Sequence, residues 1–161
     1  MTTRLVSAAQ LRRRSSIWDA MVSVVFSVSA AVPAPLKRTC LDGRTVAALD
    51  RRPPTTILTP IDLGAPVIFW TRHNLVATPH HRNKDAMADA IRVFADDPAK
   101  AEALVRKQKA TLIVFCRTAN DFTKYRRARK DSLGAQLYAE TPPAWLEAVP
   151  TGSRAGLSVW R

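Results

Sequence analysis

The sequence predicts a three-layer α/β domain with a mostly parallel sheet, flanking helices and a C-terminal antiparallel hairpin. Short β-branched or apolar runs alternate with amphipathic helical segments, which is the order of strands joined by crossover connections. One run, Ala110 to Cys116, is apolar throughout, as in a strand covered on both faces. With 161 residues the chain is long enough for one ordinary domain with its own core.

The N-terminal segment, residues 1–36, differs in character from the rest of the chain. Three arginines at positions 12–14 precede an apolar run from Ile17 to Val32, and prolines follow it. This order is typical of a signal peptide or a membrane anchor. The run is shorter than the roughly 20 residues of a spanning helix and contains Asp19, so an amphipathic helix on the domain or on a membrane surface stays open. We expect a single α/β domain over residues 37–161.

Four short elements are predicted in the first half of that domain. Asp42 to Asp50 forms a helix that ends before two prolines, and the β-branched run Thr55 to Ile61 forms a buried strand. Ala65 to Thr71 has strand propensity, but a connection between two parallel strands favours a crossover helix, which we expect here. Asn74 to Pro79 forms the second strand.

The second half predicts a pair of helices, the third strand and the hairpin. Asn83 is placed to cap a helix that begins at Lys84, and Asp97 with Pro98 begins the next one. The third strand is the apolar run that ends at Cys116. A short helix follows at Ser132 to Glu140. The last elements are two strands that pair as a hairpin at the sheet edge, Trp145 to Val149 and Leu157 to Trp160.

The net charge of +12 and the pI near 10.8 predict attraction to polyanions: nucleic acid, anionic lipid or phosphorylated carriers. No zinc-finger spacing or RNP-like motif is present, which disfavours nucleic acid without excluding it. The densest basic run is either a solvated face or a contact for phosphates or anionic lipid. Its cations are Lys124, Arg126, Arg127, Arg129 and Lys130.

The polar residues of greatest interest follow the predicted strands. Asp62 ends the first strand, His80 to Asn83 end the second, and Cys116 with Arg117 end the third. In a parallel sheet these ends share one edge, and open α/β sheets bind ligands outside that edge. We therefore predict a candidate ligand site there.

Three interpretations of these polar residues compete. Asp62 with His73, His80 or His81 suits a divalent metal, as in a small metal-dependent hydrolase, although adjacent histidines on an extended chain point to opposite faces. Arg72, Arg82 and a histidine suit a phosphate group. In the third interpretation Asp62 and Asn83 cap helices.

Catalysis by the isolated chain is disfavoured. The sequence contains no GxSxG, HExxH, P-loop or GxGxxG motif, so we expect no cofactor and no resident metal. Cys40 and Cys116 are too far apart to form a CxxC pair, and they are either two buried thiols or, in an exported protein, one long-range disulfide.

Five motifs of the domain are distinctive. They are PIDLG (60–64), TRHNLVATPHHRN (71–83), LIVFC (112–116), PAWLEAVP (143–150) and LSVWR (157–161). These motifs resemble those of the C-terminal soluble domain of bacterial polytopic membrane proteins similar to GT-C glycosyltransferases, which use lipid-linked sugars. The likeness covers about three quarters of the chain, from Cys40 onward. Asp62 and Gly64 also resemble, more loosely, the Asp-x-Gly motif of oligosaccharyltransferase catalytic subunits, which faces the acceptor peptide; the aromatic residues of that motif are absent here.

This resemblance implies a non-catalytic accessory or detached domain on the periplasmic face of a bacterial inner membrane; a cytoplasmic location is the alternative. It implies a ligand such as a lipid-linked sugar or another phosphate-bearing or glycosylated molecule, and a membrane surface or membrane protein as partner. A basic nucleic-acid-binding protein is the alternative from another class. The chain lacks the many membrane helices that hold the catalytic carboxylates of such enzymes, so we expect no sugar transfer by this chain alone.

Overall fold

The computed structural model describes residues 39–151 and 156–161, and the fold is given for those residues. The predicted N-terminal segment and its boundary with the domain lie outside them. No helix in the described ranges is long and apolar enough to cross a membrane. The elements are α1 (Gly43–Val46, continued by a 3-10 turn, Ala47–Arg51), β1 (Thr56–Leu58), α2 (Ile61–Trp70), β2 (Asn74–Leu75), a 3-10 turn (His81–Asn83), α3 (Lys84–Ala95), α4 (Pro98–Lys107), β3 (Leu112–Cys116), α5 (Asn120–Ala128), α6 (Leu133–Tyr138) and β4 (Leu157–Trp160).

The sheet confirms the predicted fold class. Its strand order is β2-β1-β3-β4, with β2 and β3 parallel to β1 and with β4 antiparallel to β3. All five residues of β3 are buried, so both faces of the central sheet are covered. The helices pack in two groups, α1 with α2 and α3 with α4, α5 and α6.

The segment between the first two strands is a crossover helix, as predicted, but both strands are shorter than predicted. Pro60 follows β1 and has no N–H to donate to a sheet ladder, and α2 begins at the next residue. The last backbone bond between β1 and the chain of β2 joins Val76 N to Ile57 O at 3.0 Å. Because β1 has only three residues, the backbone after Val76 has no strand to pair with, and β2 ends early.

The predicted C-terminal hairpin is reduced to one bridge. Residues 145–149 form no strand, but Ala148 pairs antiparallel with Trp160. The backbones of Glu147 and Arg161 exchange hydrogen bonds of 2.8 and 2.9 Å. The antiparallel strand of the sheet is therefore β4 on β3, and part of the connecting turn, 152–155, lies outside the described residues.

The core is centred on β3 and on the helices that cover it. The ring of Phe115 in β3 stacks on Phe122 of α5 at 4.2 Å between centroids, and Phe94 of α3 meets Phe122 edge-on at 5.7 Å. Cys116, the last residue of β3, forms a disulfide with Cys40, and their Cα atoms are 5.6 Å apart. The carboxyl end of the central strand is thus held by packing and by a covalent bond.

Candidate ligand-binding edge of the sheet

Asp62 and the His80 to Asn83 segment lie at the same edge of the sheet. Both follow parallel strands, Asp62 in the first turn of α2 and His80 after β2. Gly64 allows the two segments to touch, since a Cβ at this residue would lie 2.8 Å from the Ala77 carbonyl oxygen and 3.2 Å from Thr78 Cα. The glycine of the Asp-x-Gly sequence therefore serves close packing here.

The two adjacent histidines present their rings together. The rings of His80 and His81 stack with centroids 4.8 Å apart and planes 21° apart, and both residues are exposed. His80 Nδ1 accepts a hydrogen bond from Arg82 N at 3.4 Å, which helps to start the 3-10 turn. The expectation that the two rings point to opposite faces is wrong, because the chain leaves the extended conformation at His81.

Two side chains just before α3 have donors without a partner. The Asn83 amide does not cap the helix as predicted; its Nδ2 donates instead to Val76 O at 3.3 Å. The exposed Arg82 guanidinium and the His81 ring have no hydrogen-bond or acidic partner within residues 39–151 and 156–161. An exposed guanidinium beside an imidazole ring that has no partner favours an anionic ligand.

A buried acid that the sequence analysis did not single out lies behind Asp62. Asp121 Oδ2 accepts from Asp62 N at 2.8 Å, and Asp121 Oδ1 accepts from Phe122 N at 2.6 Å. Burial raises the pKa of the Asp121 carboxyl above its ordinary value. Burial, reinforced by the charges of Asp121 and Asp62, also raises the pKa of Tyr125 to about 12. The sequence does contain one indication of this role: Asp121 comes five residues after the end of β3, and the carboxyl end of β3 lies at the same edge.

Arg72 and His73 do not belong to this edge, which corrects their inclusion in the candidate site. They precede β2, whereas Asp62 follows the parallel strand β1, so they lie at opposite ends of the sheet. The Arg72 guanidinium pairs with Asp50 at 3.1 Å. His73 is buried, its Nδ1 accepts from Thr55 N at 3.2 Å, and its Nε2 donates to Leu49 O at 3.0 Å.

The structure thereby weakens the metal interpretation. His73 has no nitrogen left for an ion, and it is separated from Asp62 by the length of the sheet. In the part of the chain that the structure describes, no group of three or more His, Cys, Asp or Glu side chains is arranged to hold a metal.

The basic run 124–130 divides into separate environments. The Arg126 guanidinium lies 3.8 Å from the centre of the Tyr138 ring, and Arg129 pairs with Asp131 at 2.8 Å. Three exposed cations have no acidic partner among the residues described. They are Lys124, Arg127 and Lys130. The predicted five-cation contact surface therefore contains three free charges.

Comparison with known proteins supports the fold. The chain is similar to the C-terminal globular domain of the oligosaccharyltransferase from Archaeoglobus fulgidus, with a TM-score of 0.59 and 12% identity over 78% of this chain and 98% of that one. At this identity the likeness shows a shared fold, and because the matched domain is archaeal it is not specific to bacterial proteins. No protein-family model matches the chain, and no curated protein matches it by sequence.

Proposed function

We propose that this chain is a non-catalytic accessory domain of a membrane protein of the GT-C glycosyltransferase type. Its carboxyl edge binds a phosphate-bearing or glycosylated ligand. The observation that carries this proposal is the cluster formed by the stacked histidines and Arg82 just before α3. Among the described residues, the His81 ring and the Arg82 guanidinium have no hydrogen-bond or acidic partner. The fold shared with an oligosaccharyltransferase domain supports the setting.

The chemistry of this edge suits a sugar phosphate better than a bare anion. Arg82 can grip a phosphate with two parallel hydrogen bonds, and imidazole nitrogens add further donors. Asp62 is exposed near the same edge, and its carboxylate can accept hydrogen bonds from sugar hydroxyls. A ligand with both groups satisfies the donors and the acceptor together.

The disulfide supports a location outside the cytoplasm, on the periplasmic face of a membrane. Disulfides persist in oxidising compartments and are rare in the cytosol. Alkylation of free thiols in intact cells, followed by mass analysis of the full chain, tests this location. Two alkylated cysteines without added reductant would contradict it.

Binding is tested by calorimetric titration of the full chain with glucose 1-phosphate, and with glucose and inorganic phosphate separately. We expect binding of the sugar phosphate that falls at least tenfold in Arg82→Gln, because a charge-assisted contact is lost. The matched control is Arg92→Gln, an exposed arginine in the last turn of α3 and away from the edge, which should leave binding unchanged.

The same variants separate the nucleic-acid alternative. A single-stranded oligonucleotide titrated at two salt concentrations would bind through Lys124, Arg127 and Lys130 in that case, with steep loss at higher salt. The proposed function would be overturned by two results together. The chain would not bind the sugar phosphate, and its oligonucleotide binding would be unchanged in Arg82→Gln but lost when those three cations are neutralised.

A further inference from the structure

The C-terminal end of α2 carries an exposed apolar surface. Ile68, Phe69 and Trp70 are consecutive, and their exposed fractions are 55%, 76% and 50%. Isolated exposed apolar residues are ordinary, but a contiguous group that includes two aromatic rings marks a contact surface. We call these three residues the α2 patch.

The α2 patch is held in a defined arrangement. The rings of Phe69 and Trp70 meet edge-on, with centroids 4.9 Å apart and planes 83° apart. The indole of Trp70 lies against Gly43 of α1, where an added Cβ would come within 2.8 Å of indole atoms. The first turn of α1 thus supports one side of Trp70 while half of the residue stays exposed.

Exposed arginines lie in the segments next to α2. Arg44 follows the glycine that contacts Trp70; its backbone N–H donates to Asp42 Oδ1 at 2.8 Å. Arg51 ends the 3-10 turn that packs near α2. Both arginines are exposed, and neither guanidinium has an acidic partner in the described ranges. Arg72, two residues after Trp70, is exposed but paired with Asp50. Aromatic rings beside arginines match the headgroup region of an anionic bilayer, where rings enter the boundary and cations meet phosphates.

We propose that the α2 patch docks on an anionic lipid bilayer, with Phe69 and Trp70 entering the interface and Arg44 and Arg51 contacting lipid phosphates. The excess positive charge of the chain attracts it to such a surface. In the sequence, the apolar run predicted as a membrane or export segment ends at Val32, seven residues before Thr39. An anchored chain would therefore keep the domain near a bilayer.

This docking also orients the ligand edge. The patch lies at the far end of α2 from Asp62; Asp62 and Trp70 are eight residues apart, which is about 12 Å along a helix. With the patch on the bilayer, the loop at Arg82 faces the aqueous side. The docking proposal rests on a different surface from the proposed function, so each is tested separately.

The test uses the full chain with a fluorescent label at an introduced cysteine, since both native cysteines are in the disulfide. Phe69→Cys places an environment-sensitive dye in the patch, and Ala65→Cys places it on the exposed first half of the same helix as a matched control. We expect a blue shift and quenching by brominated lipids only at position 69, with vesicles of 70% phosphatidylcholine and 30% phosphatidylglycerol.

Two further variants test the forces involved. In vesicle flotation, Phe69→Ser should lower binding about tenfold, because one aromatic side chain stays in water. Arg44→Gln with Arg51→Gln should lower binding to the anionic vesicles about tenfold and leave weak binding to pure phosphatidylcholine unchanged. High salt should reduce the difference between the two vesicle types.

Three outcomes would overturn the proposal. The chain could fail to float with anionic vesicles, or it could float while both labels stay in water or respond equally. Sedimentation could also show a dimer without lipid that Phe69→Ser dissociates, which would assign the patch to a second copy. None of these outcomes depends on sugar-phosphate binding at Arg82.

Discussion

The carboxylate of Asp121 accepts the backbone N–H of Asp62 at 2.8 Å and so caps α2 from a distant part of the chain. Pro60 occupies the position before the helix and has no side-chain acceptor to offer. The cap is supplied by α5, 59 residues further along. This contact joins the carboxyl ends of β1 and β3 at the candidate ligand edge.

Asp121→Asn should change the pH dependence of stability. The pKa of Asp121 is raised in the folded state, so the native state binds the proton more tightly. Its contribution to the free energy of unfolding falls as pH rises from about 3.9 through the raised pKa. Relative to wild type, Asp121→Asn should therefore gain stability between pH 3 and pH 7 in urea unfolding. A constant difference across this range would contradict the buried, raised-pKa carboxyl.

Asp89→Asn should show the opposite sign. Asp89 is buried, and its Oδ2 accepts from Lys107 Nζ and Gln108 Nε2, each at 2.7 Å. The hydrogen bond from Lys107 is the largest cause that lowers the pKa of Asp89. The stabilisation that the ionised Asp89 carboxylate gives to the fold is present above the unfolded pKa of about 3.9, and it is lost as pH falls through the folded pKa. We expect a loss of about 1–3 kcal/mol at pH 7 that shrinks in acid.

The control for Asp89 is the exposed pair on the neighbouring helix. Arg106 and Glu102 are four residues apart in α4, and Glu102→Gln should cost at most about 0.5 kcal/mol at any pH. Equal losses for the two variants would show that the burial of Asp89 has no energetic effect.

Gly64→Ala should destabilise the fold by about 1–3 kcal/mol, because the new methyl group meets the backbone of Ala77 and Thr78. Backbone cannot yield as a flexible side chain can. Ala65→Ser on the exposed side of the same helix is the control and should cost about 0.5 kcal/mol. Thermal unfolding compares them. A neutral Gly64→Ala would mean that α2 and the segment after β2 do not approach this closely.

His73→Ala should lower stability by about 2 kcal/mol or more without affecting ligand binding by the folded protein. It leaves Thr55 N and Leu49 O without their side-chain partner in a buried position. The matched variant His81→Ala should leave the unfolding midpoint unchanged and weaken binding of glucose 1-phosphate. If His73→Ala weakened ligand binding without loss of stability, while His81→Ala did not affect binding, His73 would belong to the ligand site after all.

Removal of the disulfide by Cys40→Ser with Cys116→Ser should cost about 2–4 kcal/mol, because the bond closes a chain of 76 residues. Chemical denaturation of the variant and of reduced wild type should agree. If wild-type protein is unaffected by reductant while the variant is destabilised, the loss comes from packing at the serines instead.

The sequence predicts the central elements of this fold better than its site. β3 is predictable because a short, continuously apolar run is typical of a strand covered on both faces. α4 is predictable because Asp97 and Pro98 mark the start of a helix. The role of His73 is not predictable, because its partners lie 18 and 24 residues away and depend on the strand order. Residue type indicates the chemistry of a side chain, but the topology decides at which edge of the sheet it lies.

The bond between Cys40 and Cys116 also determines how the domain would respond to mechanical load. A pull on the chain ahead of Cys40 would pass through the bond into β3, the strand that pairs with β1 on one side and β4 on the other. The segments between the two cysteines would be bypassed, including the loop at Arg82. Tension from a tethered N-terminal side would then leave the loop at Arg82 outside the path of the load.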